Sequence, residues 1–201
     1  MKEEERMIKS KADYIEYILE DRKALNRVHR KFPFTLLDWP LRFQLIMRRA
    51  EYYTNCKKSL LFRPVVLFWQ LRHRMMGYKC GYIIPLNTCG KGLSLAHPGT
   101  IVINEKAKVG DYCRINVDVN IGTSAGSGGQ APTIGDNVYI GPGAKIFGKI
   151  EIASDIAIGA NSVVNKSFLT PGITIAGVPA KQISNKGSNG LLYNPELDNG
   201  V

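Results

Sequence analysis

The sequence predicts a mainly β chain, a parallel β-helix preceded by a short α-helical part, and three observations support this fold class. A branched aliphatic residue recurs every six positions from Ile134 to Val164, and with the same spacing from Ile103 to Ile121. Amphipathic segments with helical spacing precede these repeats, and a polar segment follows them. A strict period of six fits neither an α-helix nor a simple strand, but it is typical of coils stacked into a prism.

The internal pattern of the repeat supports the prism. The first and fifth positions are apolar or small, so we expect both side chains to point inward. The fourth position often carries a residue that tolerates the positive φ of a corner. An ordinary β-sandwich, the alternative, would have loops of variable length and would not keep the aliphatic positions in phase. The fifth-position residues are Ala107, Cys113, Val119, Val138, Ala144, Ile150, Ile156 and Ser162, and those at the fourth are Asp118, Asn137, Gly143, Asp155 and Asn161.

Helices are predicted at residues 11–27, 39–54 and 64–76, where apolar side chains recur at helical spacing. We expect them to cover the open end of the prism, because its first coil would otherwise expose unpaired backbone. The expected organisation is a basic α-helical domain at 1–79, a β-helical domain at 80–183 and a C-terminal tail at 184–201.

Composition narrows the class of protein. With 201 residues and 44% hydrophobic content, the chain can form a core without metals or disulfides. The first six residues are polar, unlike a secretory signal, and the longest apolar run, Pro64 to Leu71, is too short to span a bilayer. The four cysteines lack metal-ligand spacing. We therefore expect a reduced, cytoplasmic protein without an integral membrane segment.

The net charge of +10 is concentrated in the N-terminal part, since residues 1–83 hold 18 Lys and Arg against 9 Asp and Glu. A basic face can meet nucleic acid, anionic lipid or an acidic glycan. No nucleic-acid motif accompanies the charge, so we expect no nucleic-acid partner. A solvated basic surface is the favoured interpretation, and contact with a polyanionic acceptor or a membrane surface is the alternative.

Two departures from the period indicate a functional site. Residues 124–131 are rich in Gly and Ser, and the distance from Ile121 to Ile134 is 13, one more than two repeats. This predicts a small mobile loop extruded on the substrate side. His97 lies six positions before Ile103, where an inward aliphatic residue is expected. A titratable residue that breaks the repeat is a candidate for function, although a lone histidine is more often structural.

Several motifs carry a resemblance to a known family. They are GLSLAH at 92–97, IGT at 121–123, IGDNVYIGPGAKI at 134–146 and AGVPA at 176–180. With them, the segment 92–183 resembles hexapeptide-repeat acyltransferases of the serine acetyltransferase group. The resemblance implies a left-handed β-helix, a homotrimer and acetyl-CoA bound between neighbouring subunits, with no metal. It also implies that His97 is the general base that takes a proton from an acceptor hydroxyl and returns it to the departing thiolate.

The acceptor side of this site departs from the family pattern. The acidic residue that orients the histidine in serine acetyltransferases, fifteen positions before it, is Tyr82 here. Glu105, eight positions after His97, matches an acidic residue of the family. It is expected to orient the imidazole or contact the acceptor, and a solvated corner residue is the alternative. The acceptor-binding positions are held by Ala96, Gln130 and Ala131, without the charge that the family has there.

The donor side matches the family better. The resemblance implies that small residues on successive coils bind CoA through their backbone, and that Lys181 meets a CoA phosphate. The alternative is that the glycines only turn corners and that Lys181 is a surface residue. The implied CoA-binding residues are Gly122, Thr123, Gly141, Pro142, Gly159, Ala160, Ala176, Gly177 and Lys181. Asn116, Asp118 and Asn120 are further polar candidates beside the site.

The leading hypothesis is an acetyl-CoA-dependent O-acetyltransferase acting on a sugar hydroxyl of a surface polysaccharide precursor, because the acceptor-binding positions have lost their polar or charged character. Serine is the alternative acceptor, and residues 199–201 resemble the family tail that docks into cysteine synthase. A zinc hydratase on the same scaffold is rejected, because His97 is alone and such a site needs several histidines. A non-catalytic assembly module is the third alternative, favoured by the missing acid.

Overall fold

The computed structural model describes residues 6–29, 37–125 and 129–192. Three α-helices precede a series of short β-strands. The helices are α1 (Lys11–Ala24), α2 (Trp39–Cys56) and α3 (Arg63–Cys80), with a 3₁₀ turn at Leu60–Phe62. The strands are β1 (Tyr82–Ile83), β2 (Ile101–Ile103), β3 (Lys108–Val109), β4 (Arg114–Ile115), β5 (Val119–Gly122), β6 (Thr133–Ile134), β7 (Tyr139–Ile140), β8 (Lys145–Phe147), β9 (Glu151–Ile152), β10 (Ala157–Ile158), β11 (Val163–Val164), β12 (Thr174–Gly177) and β13 (Ala180–Ser184).

The strands form three sheets, which the chain visits in rotation. Sheet 1 has the order β1-β2-β5-β8-β11, sheet 2 the order β3-β6-β9, and sheet 3 the order β13-β12-β10-β7-β4. All pairs are parallel except β12 with β13. Ile101 pairs with Val119 and Tyr139 with Ala157, so a full circuit takes 18 residues, or three six-residue repeats. These sheets confirm the predicted parallel β architecture preceded by helices.

The core lies inside the three sheets, and the repeat positions fill it as predicted. Both inward positions are buried in successive six-residue repeats, as at Ile140, Ala144 and Ile146, each of which is fully buried. The fourth positions have the expected positive φ, for example 59° at Asp118 and 55° at Asn137. Because inward residues of neighbouring circuits contact one another, each circuit buries apolar surface that it could not bury alone.

The interruption of the period differs from the prediction. Across it, Arg114 pairs with Tyr139 and Asn120 with Lys145, each 25 residues apart instead of 18. The corner between β5 and β6 therefore contains seven additional residues. The prediction that two repeats and one extra residue separate Ile121 from Ile134 is wrong. Within this insertion, residues 126–128 lie outside the described part of the chain.

The position of His97 also differs from the prediction, because its side chain is exposed rather than inward. In the first circuit, seven positions separate Ser94 from Ile101, whereas five separate their partners Arg114 and Val119. The corner between sheet 3 and sheet 1 therefore holds two extra residues here. Counting six back from Ile103 places His97 in this widened corner, and the inward aliphatic residue before the corner is Leu95.

The three predicted helices are confirmed, with different ends. A capping box formed by Ser10 and Asp13 starts α1, which ends at Ala24 rather than near residue 27. The third helix continues to Cys80, four residues beyond the predicted end, because the left-handed conformation needed to stop it first occurs at Gly81, with φ of 80°. Among the described residues, no helix is both long and apolar enough to cross a membrane.

A buried arginine fixes the helices onto the first circuit of the prism. The guanidinium of Arg48 donates hydrogen bonds to Asp21 at 2.8 Å and to Glu51 at 3.0 Å. It also donates to the carbonyls of Cys89 at 2.9 Å and Gly90 at 2.5 Å. These bonds satisfy carbonyls at the end of the prism that no further circuit could satisfy, so the helices close this end as expected.

The segment after β13 partly folds back onto the prism. Ser188 donates from its backbone to the Asp155 carbonyl at 3.0 Å and from its hydroxyl to the Asn137 carbonyl at 2.6 Å. The predicted tail is therefore ordered at least to this point. The residues 199–201, compared above with the family tail, lie outside the described part of the chain.

Candidate active site

The sequence-predicted site residues lie along the two edges of sheet 1. We call the corner that enters sheet 1 from sheet 3 the histidine edge, formed by residues 96–99, 116–118, 141–143 and 159–161. The corner that leaves sheet 1 for sheet 2 is the loop edge, formed by residues 104–106, 122–125, 129–132 and 148–149. The strands of sheet 1 separate the two edges.

The histidine edge is a continuous stack of corners. A Cβ added at Gly99 would lie 2.8 Å from Cγ1 of Val117, so the corner of His97 rests directly on the next one. The backbone N–H of Gly143 donates to the Val117 carbonyl at 3.0 Å, and that of Asn161 donates to the Pro142 carbonyl at 2.8 Å. The imidazole therefore lies at one end of an edge that runs along the prism.

His97 is held through its backbone. The hydroxyl of Tyr82 donates to the His97 carbonyl at 2.7 Å, and Tyr82 itself is 2% exposed against the edge of Phe43. Burial raises the pKa of Tyr82, so its hydroxyl stays a donor. Within the described part of the chain, the imidazole of His97 has no hydrogen-bond partner. The residue in the place of the family acid therefore positions the histidine segment and leaves the ring free.

Most of the residues predicted to bind CoA lie on the histidine edge or beside it. Gly141 and Gly159 donate backbone hydrogen bonds to the next circuit, to Ile158 and Ile175, each at 2.8 Å. Lys181 pairs with Ala176 across β12 and β13 and is exposed. The remaining members of this group are Pro142, Ala160 and Gly177, which are exposed and carry no long side chain.

Close stacking of neighbouring circuits keeps some residues of this edge small. A Cβ added at Gly159 would lie 2.8 Å from the Cβ of Ala176, so the edge tolerates little beyond glycine there. At Pro142, Ala160 and Gly177, the short side chains leave the neighbouring backbone open to close approach. Lys181 lies at the end of this run, on β13.

The other predicted site residues lie on the loop edge. Gly122 is the last residue of β5 and Thr123 follows it, whereas Gln130 and Ala131 follow the seven-residue insertion. Gln130 is exposed, whereas Ala131 packs partly against the core. One chain therefore divides the predicted residues between two edges, and sequence reasoning did not reveal this division.

Glu105 belongs to the loop edge as well, so it lies beyond β2 from His97. Its side chain is exposed, and among the described residues it makes no ion pair or hydrogen bond, including to His97. The expectation that it orients the imidazole of its own chain is therefore not met. Ala96 precedes His97 on the histidine edge and is half-buried.

Two of the three additional polar candidates, Asn116 and Asp118, have structural partners. The amide of Asn116 donates to the Ile140 carbonyl at 2.8 Å, and Asp118 pairs with Lys145 at 3.0 Å. Of the cysteines, Cys113 is fully buried in the core, and burial raises the pKa of its thiol. Among the described residues, no three His, Cys, Asp or Glu side chains are grouped as metal ligands.

Comparison with known proteins agrees with this architecture. No protein-family model matches the chain. The serine acetyltransferase of Mycobacterium tuberculosis is 42% identical over 102 residues, which are 50% of this chain and 44% of that protein. That of Helicobacter pylori strain J99 is 41% identical over 96 residues, 47% of this chain and 56% of that protein. The chain thus spans about half the length of these relatives.

Solved structures cover more of the chain. The serine acetyltransferase of Neisseria gonorrhoeae in complex with serine matches with a TM-score of 0.64 and 30% identity, over 87% of this chain and 71% of that one. The soybean serine acetyltransferase apoenzyme matches with a TM-score of 0.68 and 26% identity, over 86% and 69%.

The chain visits three sheets in turn with a period of six residues. Together with these matches, this architecture places the protein in the class of hexapeptide-repeat acyltransferases. Within that class, the chain belongs to the serine acetyltransferase family.

Proposed function

We propose that the protein is an acetyl-CoA-dependent O-acetyltransferase in which His97 is the general base. The observation that carries this proposal is the imidazole of His97, which has no partner among the described residues and lies at the end of an edge where Pro142 and Ala160 are small and exposed. An imidazole without a partner in its own chain is available to an acceptor hydroxyl, and the edge can bind the donor next to it.

The proposed fold of the sheet region is a left-handed parallel β-helix at residues 80–183, with the helical domain at 1–79, and the proposed assembly is a homotrimer. Three-fold symmetry would place the histidine edge of one copy against the loop edge of the next. This arrangement would combine the two halves of the predicted site, and it would shield His97, which is exposed in the single chain. Glu105, Gln130 and Ala131 would then act on the His97 of a neighbouring copy.

The proposed chemistry needs one proton transfer in each direction. A hydroxyl is a weak nucleophile at neutral pH, and His97 removes its proton as the oxygen attacks the thioester carbonyl. The C–S bond then breaks, and the imidazolium returns the proton to the thiolate. Backbone N–H groups near the corner would stabilise the oxyanion. The mechanism requires no acyl-enzyme, and the buried cysteines offer no nucleophile for one.

Serine is the acceptor that the comparisons support best. The curated relatives at 41–42% identity are named serine acetyltransferases, and a solved neighbour at 30% identity binds serine. These matches favour serine over the sugar hydroxyl that the sequence analysis preferred. We therefore infer serine O-acetylation as the first activity to test.

A sugar hydroxyl is the second candidate, and one observation favours it. The acceptor-binding positions Ala96, Gln130 and Ala131 carry no charge that could pair with the ammonium or carboxylate of free serine. A neutral acceptor would not leave a charge without a partner.

Mass spectrometry of the reaction products separates the two acceptors. The full chain is incubated with acetyl-CoA and either serine or polysaccharide repeat units, and O-acetylated product is quantified for each. The proposal expects turnover with serine that depends on His97. Turnover of the polysaccharide repeat units but not of serine would identify a sugar hydroxyl as the acceptor. Full activity of the His97→Ala variant would reject the mechanism.

A further inference from the structure

We propose that the outer face of α3 docks the protein onto an anionic phospholipid surface. This binding goes beyond acetyl transfer and does not depend on it. Because vesicle binding is measured without acetyl-CoA or an acceptor, either proposal can fail without the other.

The outer face of α3 is a continuous apolar stripe. Its side chains recur at intervals of three, four and seven residues, which places them on one side of a helix. They remain between 49% and 74% exposed, although each is large and apolar or aromatic. We call this the apolar face, and it consists of Leu67, Phe68, Leu71, Met75 and Tyr78.

The opposite side of α3 holds the helix on the protein. His73, Met76 and Cys80 are buried there, and a Cβ added at Gly77 would lie 2.6 Å from the Tyr82 carbonyl oxygen. The helix therefore cannot roll to bury its apolar face without breaking this close approach. The apolar face stays outward, in a fixed orientation relative to the prism.

Cationic side chains flank the apolar face on both sides. Arg63 and Arg74 are eleven residues apart, about three turns, so they follow one border of the stripe. Arg72 and Lys79 are seven residues apart, about two turns, and follow the other border. All four are exposed. An apolar face with cations along both borders is the arrangement of helices that lie in a membrane interface, where the cations reach the lipid phosphates.

The surface continues beyond the start of α3. Leu60 and Leu61 in the preceding 3₁₀ turn are 73% and 87% exposed, and Lys57 and Lys58 precede them. A single exposed large apolar residue is common on protein surfaces, but a contiguous apolar surface of this extent marks an interaction site.

Charge selects the kind of partner. Residues 52–104 contain no Asp or Glu, whereas they contain seven Lys and Arg. A two-fold pairing of this face with a second copy would bring like charges together. Two carboxylates elsewhere on the described surface are already paired, Glu16 with Lys91 at 2.5 Å and Asp118 with Lys145 at 3.0 Å. An anionic partner that also accepts apolar side chains fits both features, and anionic phospholipid has this chemistry.

Vesicle cosedimentation tests the proposal with the full chain. Binding to vesicles of phosphatidylglycerol and phosphatidylcholine is compared with binding to phosphatidylcholine alone. We expect binding only to the anionic vesicles. It should weaken between about 0.1 M and about 1 M salt, where the Debye length falls from about 10 Å to about 3 Å.

Two pairs of variants locate the contact. Arg63→Gln with Arg74→Gln should weaken partitioning about thirtyfold, since each cation near an anionic surface contributes about 1 kcal/mol. The matched control is Lys166→Gln with Lys186→Gln, which removes the same charge from exposed sites outside α3 and should change binding little.

The apolar face is tested in the same way. Leu67→Ser with Leu71→Ser should weaken binding about tenfold or more. The control is Leu169→Ser with Ile183→Ser, which alters two side chains of similar exposure, 66% and 65%, far from α3 in sequence.

Three results would overturn the proposal. The first is that the wild-type protein does not bind anionic vesicles, and the second is that both α3 variants bind them as well as the wild type. The third is that the wild type does not bind vesicles and the Leu67 and Leu71 variant forms a smaller oligomer than the wild type. The last, measured by light scattering after gel filtration, would assign the face to contacts between copies.

Discussion

The contact between Tyr82 and the His97 carbonyl holds in place the segment that carries the candidate general base. The Tyr82 hydroxyl fixes the backbone that carries the imidazole and makes no hydrogen bond with the ring itself. The hydroxyl stays a donor because burial raises the pKa of Tyr82. The position of Tyr82 can be found in the sequence by counting back from His97. The sequence does not show that the Tyr82 hydroxyl reaches the His97 carbonyl, because this contact depends on the width of the corner.

Replacement of His97 tests the role of the imidazole. His97→Ala should lower kcat by a factor of about 10² to 10⁴, the usual contribution of a general base. Because the side chain is exposed, the melting temperature should change little. Steady-state kinetics and thermal unfolding of the same preparations check both statements, and an unchanged kcat would refute the role.

Replacement of Tyr82 by Phe tests positioning through the backbone. The change removes the 2.7 Å hydrogen bond to His97 and leaves the carbonyl without its donor, so we expect a loss of about 1 kcal/mol in stability. Since the imidazole would lose its fixed position, kcat should fall about tenfold with KM for acetyl-CoA nearly unchanged.

The control for this variant is Tyr139→Phe, because the Tyr139 hydroxyl has no hydrogen-bond partner in the described part of the chain. Equal kcat values for Tyr82→Phe and the wild type would assign Tyr82 a purely structural role.

At the scale of elements, the attachment of the helices to the prism depends on one buried charge cluster. Arg48 and Glu51 are both almost completely buried. Burial raises the pKa of Glu51, although the charge of Arg48 acts in the opposite direction. Burial also acts to lower the pKa of Arg48, but the charges of Asp21 and Glu51 outweigh it, so the pKa of Arg48 is raised. The arginine is charged at every accessible pH, so its removal leaves two carboxylates without their partner.

Arg48→Met should therefore lower the free energy of unfolding by about 3–5 kcal/mol, the usual effect of breaking a buried ion pair from one side. The neighbouring Arg49 is exposed, and Arg49→Met should change stability by less than about 1 kcal/mol. Urea unfolding measures both. Equal effects of the two substitutions would contradict the claim that this cluster holds the helices in place.

The junction of α3 with β1 makes stability depend on pH. Burial lowers the pKa of His73 to about 4, assisted by Arg74. Its imidazole packs against Phe43, and its buried Nε2 has no partner among the described residues. Below pH 6.5 the unfolded chain takes up a proton that the folded chain refuses until about pH 4. Stability therefore falls as the pH drops through this window.

We expect His73 to account for about 2 kcal/mol of the stability lost between pH 7.5 and pH 5. His73→Gln keeps a polar side chain but cannot titrate there, so its unfolding free energy should depend less on pH by that amount. Urea unfolding at both pH values supplies the comparison, and parallel curves for the two proteins would show that His73 does not titrate as stated.

The elements also show what the repeat pattern could and could not predict. Inward positions such as Ile140 and Ile146 followed from the period, because stacking imposes the same burial on every circuit. Corners have no such constraint, since an extra residue there extends outward without disturbing the stack. The 13 positions from Ile121 to Ile134 are therefore compatible with two repeats plus one residue or with one repeat plus seven residues. Only the hydrogen-bond register between the strands distinguishes the two arrangements.

At the scale of the whole molecule, each chain carries two incomplete halves of the predicted site. His97 and most of the residues predicted to bind the donor lie on one edge of sheet 1 or beside it, and Glu105, Gln130 and Ala131 lie on the other. Sequence reasoning assembled all of these residues into one site, because it had no means to separate two edges of the same sheet. In a three-fold assembly, the halves would meet between neighbouring copies.

Activity in mixed oligomers tests this central claim most directly. His97→Ala disables the histidine edge, and Thr123→Trp is designed to block the loop edge, so each variant alone should be inactive. Co-expressed in equal amounts, they should regain roughly a quarter of wild-type activity, because each site of a three-fold ring then needs one intact edge from each of two copies. A mixture as inactive as its components would contradict the account, since it would place the whole site within one chain.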